Sequence, residues 1–355
     1  MDKMVDFYRG KKVFVTGHNG FKGSWLCSLL RNMGAEVFGY SLPLDANANL
    51  YNILQLNRFV NSVDADIRDL QRLMLEINNF SPDIVLHLAA QPLVRESYIF
   101  PVETYSTNVM GTVNVLEAAR NVPSIRSIVN ITTDKVYYND ERDTGFKEDE
   151  KLCGFDPYSN SKSCSELVTY SYVKSFFEVD GKISVSTARS GNVIGGGDFN
   201  KDRIIPDCYR AAEAGIPVVI RNPNSVRPYQ HVLDCLNGYL ILAMRQYDKK
   251  YIGNYNFGPK DSESVTTGVL VKMFDKYWGG LPFTIQNDGG PHEANYLRLD
   301  CEKATKVLDW HSVWDTENAV KMTSEWYKAY LLGRNMMEIT DEQIKEFYYG
   351  QSTTR

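Results

Sequence analysis

Cysteine is scarce and scattered in this sequence. Cys27, Cys153, Cys164, Cys208, Cys235 and Cys301 include no Cys-x-x-Cys pair. A disulfide framework and a zinc site at finger spacing are therefore both excluded. In a chain of 355 residues these six read as reduced, mostly buried thiols. His18, His87, His231, His292 and His311 are equally dispersed, so no metal is expected. A positive excess is also missing. With 39 Lys+Arg against 44 Asp+Glu, the formal net charge is -5. That excludes nucleic acid as the main partner, because phosphate backbones are bound by basic surfaces. Long apolar runs are absent too. The best, Tyr239 to Met244, falls far short of a membrane span. Residues 1–10 hold no apolar signal core and no cleavage site. The expected address is the cytoplasm, with no membrane partner.

What remains has the balance of an ordinary globular protein, 43% hydrophobic and 23% charged. The length suits one or two domains. In the first half, strands and helices alternate. Lys12 to Thr16, Glu36 to Tyr40, Asp83 to Leu88 and Ser127 to Thr132 read as strands. Phe21 to Asn32, Asp69 to Asn79 and Thr104 to Arg120 have helical spacing, the last with Val109, Val113, Leu116 and Ala119 on one side. Such alternation implies right-handed βαβ units, hence an α/β fold with a doubly wound, Rossmann-type parallel sheet. From about Gly191 the pattern loosens around Gly195-Gly196-Gly197, Pro206, Pro217, Pro223 and Pro228. The expected division is a dinucleotide-binding domain over 1–190 with a returning segment over about 231–258. A smaller C-terminal substrate-binding domain is expected from 191–230 and 259–355.

The first strand ends in Gly17-His18-Asn19-Gly20-Phe21-Lys22-Gly23 and a helix follows. Strand, glycine loop and helix in that order form the context of a dinucleotide site. Gly17 suits the tight turn out of the strand, Gly20 a close approach of a pyrophosphate, and Gly23 close packing of the helix on the sheet. The helix N-terminus offers N–H groups and a positive dipole end to the phosphates. A nucleotide P-loop is excluded, because Lys22 precedes Gly23 and no Gly-Lys-Ser/Thr ending exists. The second strand ends near Tyr40, Ser41 and Leu42 without the acid that commonly holds the adenosine ribose; Asp45 lies a little beyond. No Arg or Lys stands there for a 2′-phosphate, so NAD is favoured over NADP by elimination. Asp66 suits either a bond to the adenine amino group or a solvated turn.

Tyr-x-x-x-Lys occurs three times: Tyr8 with Lys12, Tyr158 with Lys162, and Tyr170 with Lys174. Four-residue spacing puts both side chains on one helical face. Only Tyr158 opens a helix, behind Asp156-Pro157, after the strand that ends at Thr132. There a lysine ammonium favours the phenolate, which makes Tyr158 a base for an alcohol proton. Thr133 supplies a hydroxyl beside it.

Further runs follow in order. They are His87-Leu-Ala-Ala-Gln-Pro-Leu-Val-Arg95, Tyr105-Ser-Thr-Asn-Val-Met-Gly111, Asp156-Pro-Tyr-Ser-Asn-Ser-Lys162 and Arg189-Ser-Gly-Asn-Val-Ile-Gly-Gly-Gly-Asp198. Arg227-Pro-Tyr-Gln-His-Val232 and His292-Glu-Ala-Asn-Tyr-Leu297 come later. With Val15 to Leu26, they resemble the CDP-glucose 4,6-dehydratases of the extended short-chain dehydrogenase/reductase group. The resemblance covers nearly the whole chain. It implies an NAD that is reduced and reoxidised within each cycle, held by Gly17, His18, Gly20, Phe21, Lys22 and Gly23. It adds Ser41, Asp66, Ile67, Leu88, Ala89, Ala90 and Asn108 to the cofactor side, together with Tyr158 and Lys162.

The same resemblance gives Thr133, Tyr158 and Lys162 the redox step. It makes Asp134 the acid that protonates the departing C6 hydroxyl and Lys135 the base at C5. Asp134 would need burial to carry a proton, and Lys135 would need to be neutral. Gln91, Arg95, Asn192, Arg203, Arg221, Arg227 and His292 fall on the sugar-nucleotide side, where arginine forks suit two phosphates. A homodimer through the helices beginning near Thr104 and Tyr158 is implied, as is deoxysugar supply for a surface polysaccharide such as the O-antigen. Two other readings stay open. A nucleotide-sugar 4-epimerase would leave Asp134 and Lys135 structural, and a non-catalytic dinucleotide sensor would not need Tyr158.

Overall fold

The computed structural model describes residues 2–44, 49–260, 263–286 and 296–350. Six strands form most of its central sheet: β1 (Lys12–Thr16), β2 (Glu36–Ser41), β3 (Val60–Asp64), β4 (Ile84–His87), β5 (Ser127–Ile131) and β6 (Ser184–Arg189). A seventh, Asn254–Asn256, joins the edge beside β6. From one edge the order is β3-β2-β1-β4-β5-β6 and then the seventh strand, with every pairing parallel. The order reverses between β1 and β4. In an open α/β sheet ligands bind there, outside the carboxyl ends of the strands.

The pleat explains the two-sided cover. Val13 and Val15 point to one face, where Trp25, Leu26, Leu29 and Leu30 of the helix Phe21–Asn32 bury against them. Phe14 points to the other face, onto Leu73 and Ile77 of Leu70–Phe80 and Val115 and Leu116 of Gly111–Arg120. Both faces are covered, so β1 and β4 carry the short apolar runs Val-Phe-Val and Ile-Val-Leu rather than an alternation. Asp69 caps its helix by accepting from Arg72 N at 3.0 Å.

Two elements differ from expectation. The helical run expected over 104–120 begins earlier, at Pro101–Tyr105, because proline at a first turn has no N–H to leave unpaired. It then passes through a wide π turn, Ser106–Met110, before continuing as Gly111–Arg120. That turn shifts the helical phase. Val109 and Val113 end up half-buried, while Val115, Leu116, Ala118 and Ala119 form the covered face. Strand β6 gave little apolar signal, since Ser-Val-Ser-Thr-Ala-Arg alternates with polar residues. All six are nevertheless buried.

After β6 come the helices Ile204–Ala214, Val232–Arg245, Thr267–Trp278, Thr316–Leu331 and Met336–Tyr349, with short strand pairs between them. Val232–Arg245 buries Leu233, Leu236 and Leu240 in the same core as Val13 and Val15. Among the described residues, no helix is long and apolar enough to cross a membrane.

Candidate active site

The phosphate loop lies at the reversal point between β1 and β4. Gly17 has φ +72°, and a Cβ there would stand 2.8 Å from Ala89 N. A Cβ on Gly20 would meet nothing closer than Gly17 O at 3.5 Å, so this flank of the loop is open. Gly23 is needed for a different contact from the one expected. A Cβ there would stand 2.1 Å from Gly17 O, so it packs on the loop rather than on the sheet. No side chain caps the helix that opens at Phe21. Its first-turn N–H groups are left for an anion, and the site fits a pyrophosphate.

His18 turns inward. Its Nδ1 lies 2.9 Å from Ser41 Oγ, and the ring packs edge-on to Tyr51. Burial pushes His18 down to about 4, so the imidazole is neutral at pH 7. Gly39 in β2 makes room, because a Cβ there would stand 2.3 Å from the His18 ring. The loop is thus braced to the second strand where the usual acid is absent. Asp66 pairs with Arg68 at 2.5 Å in a half-exposed turn. Ile67 is buried, and a Cβ on Gly111 would stand 2.8 Å from its Cγ2. Leu88 N and Ala89 N both reach Thr16 Oγ1, at 3.2 and 3.1 Å, and Ala90 follows, half-buried. Asn108, in the π turn, accepts from Gln91 N at 2.9 Å and donates to Gln91 O and Ser161 Oγ.

The tyrosine and lysine come from the helix Pro157–Tyr172, which Asp156 caps by accepting from Ser159 N at 2.9 Å. The expected lowering of Tyr158 is not what the protein's own groups produce. Burial pushes it up to about 12, opposed by the nearby Thr133 hydroxyl, while Asp134 adds to the rise. Burial also pushes Lys162 down to about 8, aided by Lys22 and opposed by Glu166. Lys162 Nζ donates to Ile131 O at 3.2 Å, which ties it to the end of β5. At Tyr158 desolvation outweighs the opposing effects of Thr133 and Arg203.

Thr133, Asp134 and Lys135 form a tight turn directly after β5. Thr133 Oγ1 donates to Asp134 Oδ1 at 2.9 Å, and Lys135 Nζ stands 3.4 Å from the same oxygen. Asn192 Nδ2 donates to the other oxygen at 2.9 Å. Asn192 has φ +50°, a left-handed conformation that asparagine tolerates. Gly191 is required beside it, since a Cβ there would stand 1.9 Å from the Asp134 carboxyl. Asp134 is fully buried and the Lys135 side chain is 30% exposed.

The arginines meet acids of a single loop. Arg95 Nε and Arg221 NH1 approach Asp202 Oδ1, at 3.9 and 2.6 Å. Arg203 NH1 pairs with Asp198 at 3.0 Å. Arg227 is buried and donates to Val226 O at 2.9 Å. The Gln91 amide is engaged by Leu93 and Thr104.

A family model described as GDP-mannose 4,6 dehydratase matches residues 14–323. The chain belongs to this family. It is 46% identical to the CDP-glucose 4,6-dehydratase of Salmonella typhimurium, over 99% of this chain and 100% of that protein. Identity to the dTDP-glucose 4,6-dehydratase of Haemophilus influenzae is 25%, covering 89% of this chain and 97% of that protein. Among solved structures, a dTDP-glucose 4,6-dehydratase from Bacillus anthracis in complex with NAD superposes with a TM-score of 0.76 at 22% identity, covering 92% and 100% of the two chains. A UDP-glucuronic acid 4-epimerase from Bacillus cereus, in complex with UDP-glucuronic acid and NAD, gives 0.77 at 24%, covering 90% and 99%. At these identities the structural likeness bears on the fold alone.

The fold follows expectation, and the structure brings Thr133, Asp134 and Lys135 together in one turn, with Tyr158 and Lys162 on the helix packed against it. Asn192, placed on the substrate side by resemblance, donates to Asp134 in this structure. His292 and Asp45 lie outside the described residues. Lys22 is the largest surprise. Its Nζ passes the loop and stands 3.2 Å from Ser190 Oγ and 3.4 Å from Tyr239 OH, near Lys162. Burial lowers its pKa, with Cys235 opposing. Ser190 and Tyr239 carried no sequence signal of their own. Glu166 did carry one, being four residues past Lys162 on the same face, and it pairs with Arg189 at 2.9 Å.

Proposed function

We propose that this family member is an NAD-dependent nucleotide-sugar 4,6-dehydratase acting on CDP-glucose to give CDP-4-dehydro-6-deoxyglucose. The observation that carries the reading is the turn after β5, where Asp134 is fully buried, accepts from Thr133 Oγ1 at 2.9 Å and stands 3.4 Å from Lys135 Nζ, with the helix of Tyr158 and Lys162 packed beside it. In the proposed reaction Tyr158 takes the proton of the C4 hydroxyl, and Lys162 supplies positive charge on the same helix face. Lys135 removes the C5 proton from the resulting ketone and returns a proton to C5 once hydride has reached C6. Asp134 gives a proton to the C6 hydroxyl as it leaves as water. In net terms one proton passes from the C4 hydroxyl to the departing water. NAD, when bound, supplies the acceptance of a hydride from C4 and its return at C6. Gly17, Gly20 and Gly23 with the open helix N-terminus would hold its pyrophosphate, and Ser41, Asp66, Ile67, Leu88, Ala89 and Ala90 line the way along the strand ends.

The relative at 46% identity supports cytidine as the base. Arg95, Arg203, Arg221 and Arg227 supply charge for the diphosphate. The domain division at 1–190 with 231–258, and 191–230 with 259–355, assigns the cofactor to the first part and the sugar nucleotide to the second. A cytoplasmic homodimer feeding surface-polysaccharide synthesis completes the reading. Its support is the exposed apolar set Ile99, Val102, Met110, Leu167 and Tyr170 along the two dimer helices and the residues leading into them.

The test is incubation with NAD and CDP-, GDP-, UDP- and dTDP-hexoses, read by mass spectrometry. A product lighter by one water from CDP-glucose is expected. A mass-neutral isomer, or no reaction with any of the four, would defeat the reading.

Asp202 provides a second, independent check. It draws charge from two arginines that the diphosphate needs. Asp202→Asn is expected to tighten CDP binding by roughly threefold, since a half-exposed pair of this kind contributes about 0.2–1 kcal/mol. Titration calorimetry with CDP reads it directly.

A further inference from the structure

Beneath the acid–base turn lies a buried ion pair that the proposed chemistry does not use. Tyr158, Lys162 and Glu166 follow one another at four-residue intervals along a single helix face. Arg189 Nε and NH2 grip the two oxygens of Glu166, both at 2.9 Å, fork on fork. Thr132 Oγ1 donates to the same carboxylate at 2.5 Å and Thr187 Oγ1 at 2.7 Å. Neither charged side chain is more than 1% exposed. A pair so desolvated persists only when every lone pair and N–H is satisfied.

The remaining guanidinium nitrogen reaches outside the pair. Arg189 NH1 donates to Tyr137 OH at 2.8 Å and to Glu148 O at 2.9 Å. Tyr137 OH in turn donates to Asn256 Oδ1 at 2.7 Å, and its ring stacks on Phe146. The two ends of this network straddle the catalytic turn. Thr132 stands immediately before Thr133-Asp134-Lys135, and Tyr137 stands two residues after Lys135. The turn is therefore a short bridge hung from one rigid crossbar. Ser163 Oγ adds a tie by donating to Val136 O at 2.7 Å.

We propose that the Tyr137 hydroxyl, held by Arg189, is a positioning group for the elimination half of the reaction. It fixes where Asp134 and Lys135 stand relative to C6 and C5. Oxidation at C4 depends on it far less, because Tyr158 and Lys162 are placed by their own helix and by the end of β5, and Thr133 follows Thr132 directly. The inference rests on the dehydratase reading of the site. Elimination is the step most sensitive to the turn, because two groups must reach adjacent carbons together. Misplacement by about an ångström costs such a step roughly a hundredfold. Lys135 has particular need of the support, since its side chain is partly exposed and its position follows the backbone that carries it.

The test compares Tyr137→Phe with wild type in the presence of NAD and CDP-glucose. Phenylalanine keeps the stack on Phe146 and removes only the hydroxyl. Formation of the dehydrated product should slow by roughly tenfold to a hundredfold, with KM unchanged. Formation of the oxidised, undehydrated sugar should hold within about twofold, so this species accumulates on the enzyme. Rapid acid quench, borodeuteride trapping and mass spectrometry read both. Tyr138→Phe, an exposed neighbour, should change neither rate. If Tyr137→Phe folds poorly, Asn256→Ala removes the hydroxyl's acceptor and should show the same partition more weakly. Equal loss of both half-reactions, or loss of neither, overturns the proposal. Failure of wild type to release water from any nucleotide sugar would instead defeat the underlying reading.

Discussion

Asp134→Asn is expected to lower the formation of dehydrated product by roughly 10²–10⁴-fold, the usual contribution of a positioned general acid. The variant is nearly isosteric and keeps an oxygen for Thr133 and Lys135. It cannot give a proton to the leaving C6 hydroxyl. It also turns an amide N–H₂ toward one of its present donors. Asn192 Nδ2 sits 2.9 Å from one carboxylate oxygen and Thr133 Oγ1 2.9 Å from the other, so either orientation of the new amide opposes a donor. Oxidation at C4 should survive, because Tyr158 and Lys162 are untouched. Exchange of the C5 hydrogen with solvent should survive as well, since Lys135 remains. Quenched-flow mass spectrometry in deuterated water separates the three events. Retention of most turnover would mean that Asp134 is structural, as an epimerase would have it.

Tyr158→Phe should have an effect of comparable size, about 10²–10⁴-fold, but on every step. Without the phenol no base faces the C4 hydroxyl, and neither oxidised nor dehydrated sugar should form. Burial holds Tyr158 up to about 12, so the phenol is protonated at pH 7 unless positive charge is brought to it. Lys162, itself pushed down to about 8, is charged below that pH and loses its charge above it. Raising the pH therefore has two opposed effects in wild type: it favours the phenolate and discharges the lysine beside it. A pre-steady-state oxidation rate that rises and then flattens through about pH 8 is the expected outcome. In Tyr158→Phe the residual rate should lose that dependence, and CDP should bind with unchanged affinity by calorimetry.

The legible parts of this molecule are those written in local spacing. Lys-Val-Phe-Val-Thr before a glycine loop specifies β1 and the turn after it, and Tyr158 with Lys162 specifies a helix face. Strand β6 was hidden because its serines and threonines are buried by partners distant in sequence. Thr187, for example, spends its hydroxyl on Glu166. Before Arg120 a π turn inserts itself where spacing alone assumes a regular helix, so Leu116 and Ala119 are covered as expected while Val109 and Val113 are only half-buried. Contacts between distant residues were invisible for the same reason. Asn192 reaches Asp134 across 58 residues, and Gly191 is required only because a carboxylate lies against it. Lys22 could be placed in the loop by its position, but its side-chain direction depends on Ser190 and Tyr239. The arginines were identifiable as phosphate ligands by type, whereas their engagement with Asp202 required the loop's own path.

The central claim is that one sugar-nucleotide molecule is oxidised, dehydrated and reduced without leaving the site. CDP-glucose carrying deuterium at C4, turned over with catalytic NAD in ordinary water, tests it most directly. The product should be lighter by one water and should carry the deuterium at C6. An unlabelled product, or an isomer of unchanged mass with the label still at C4, would contradict the claim.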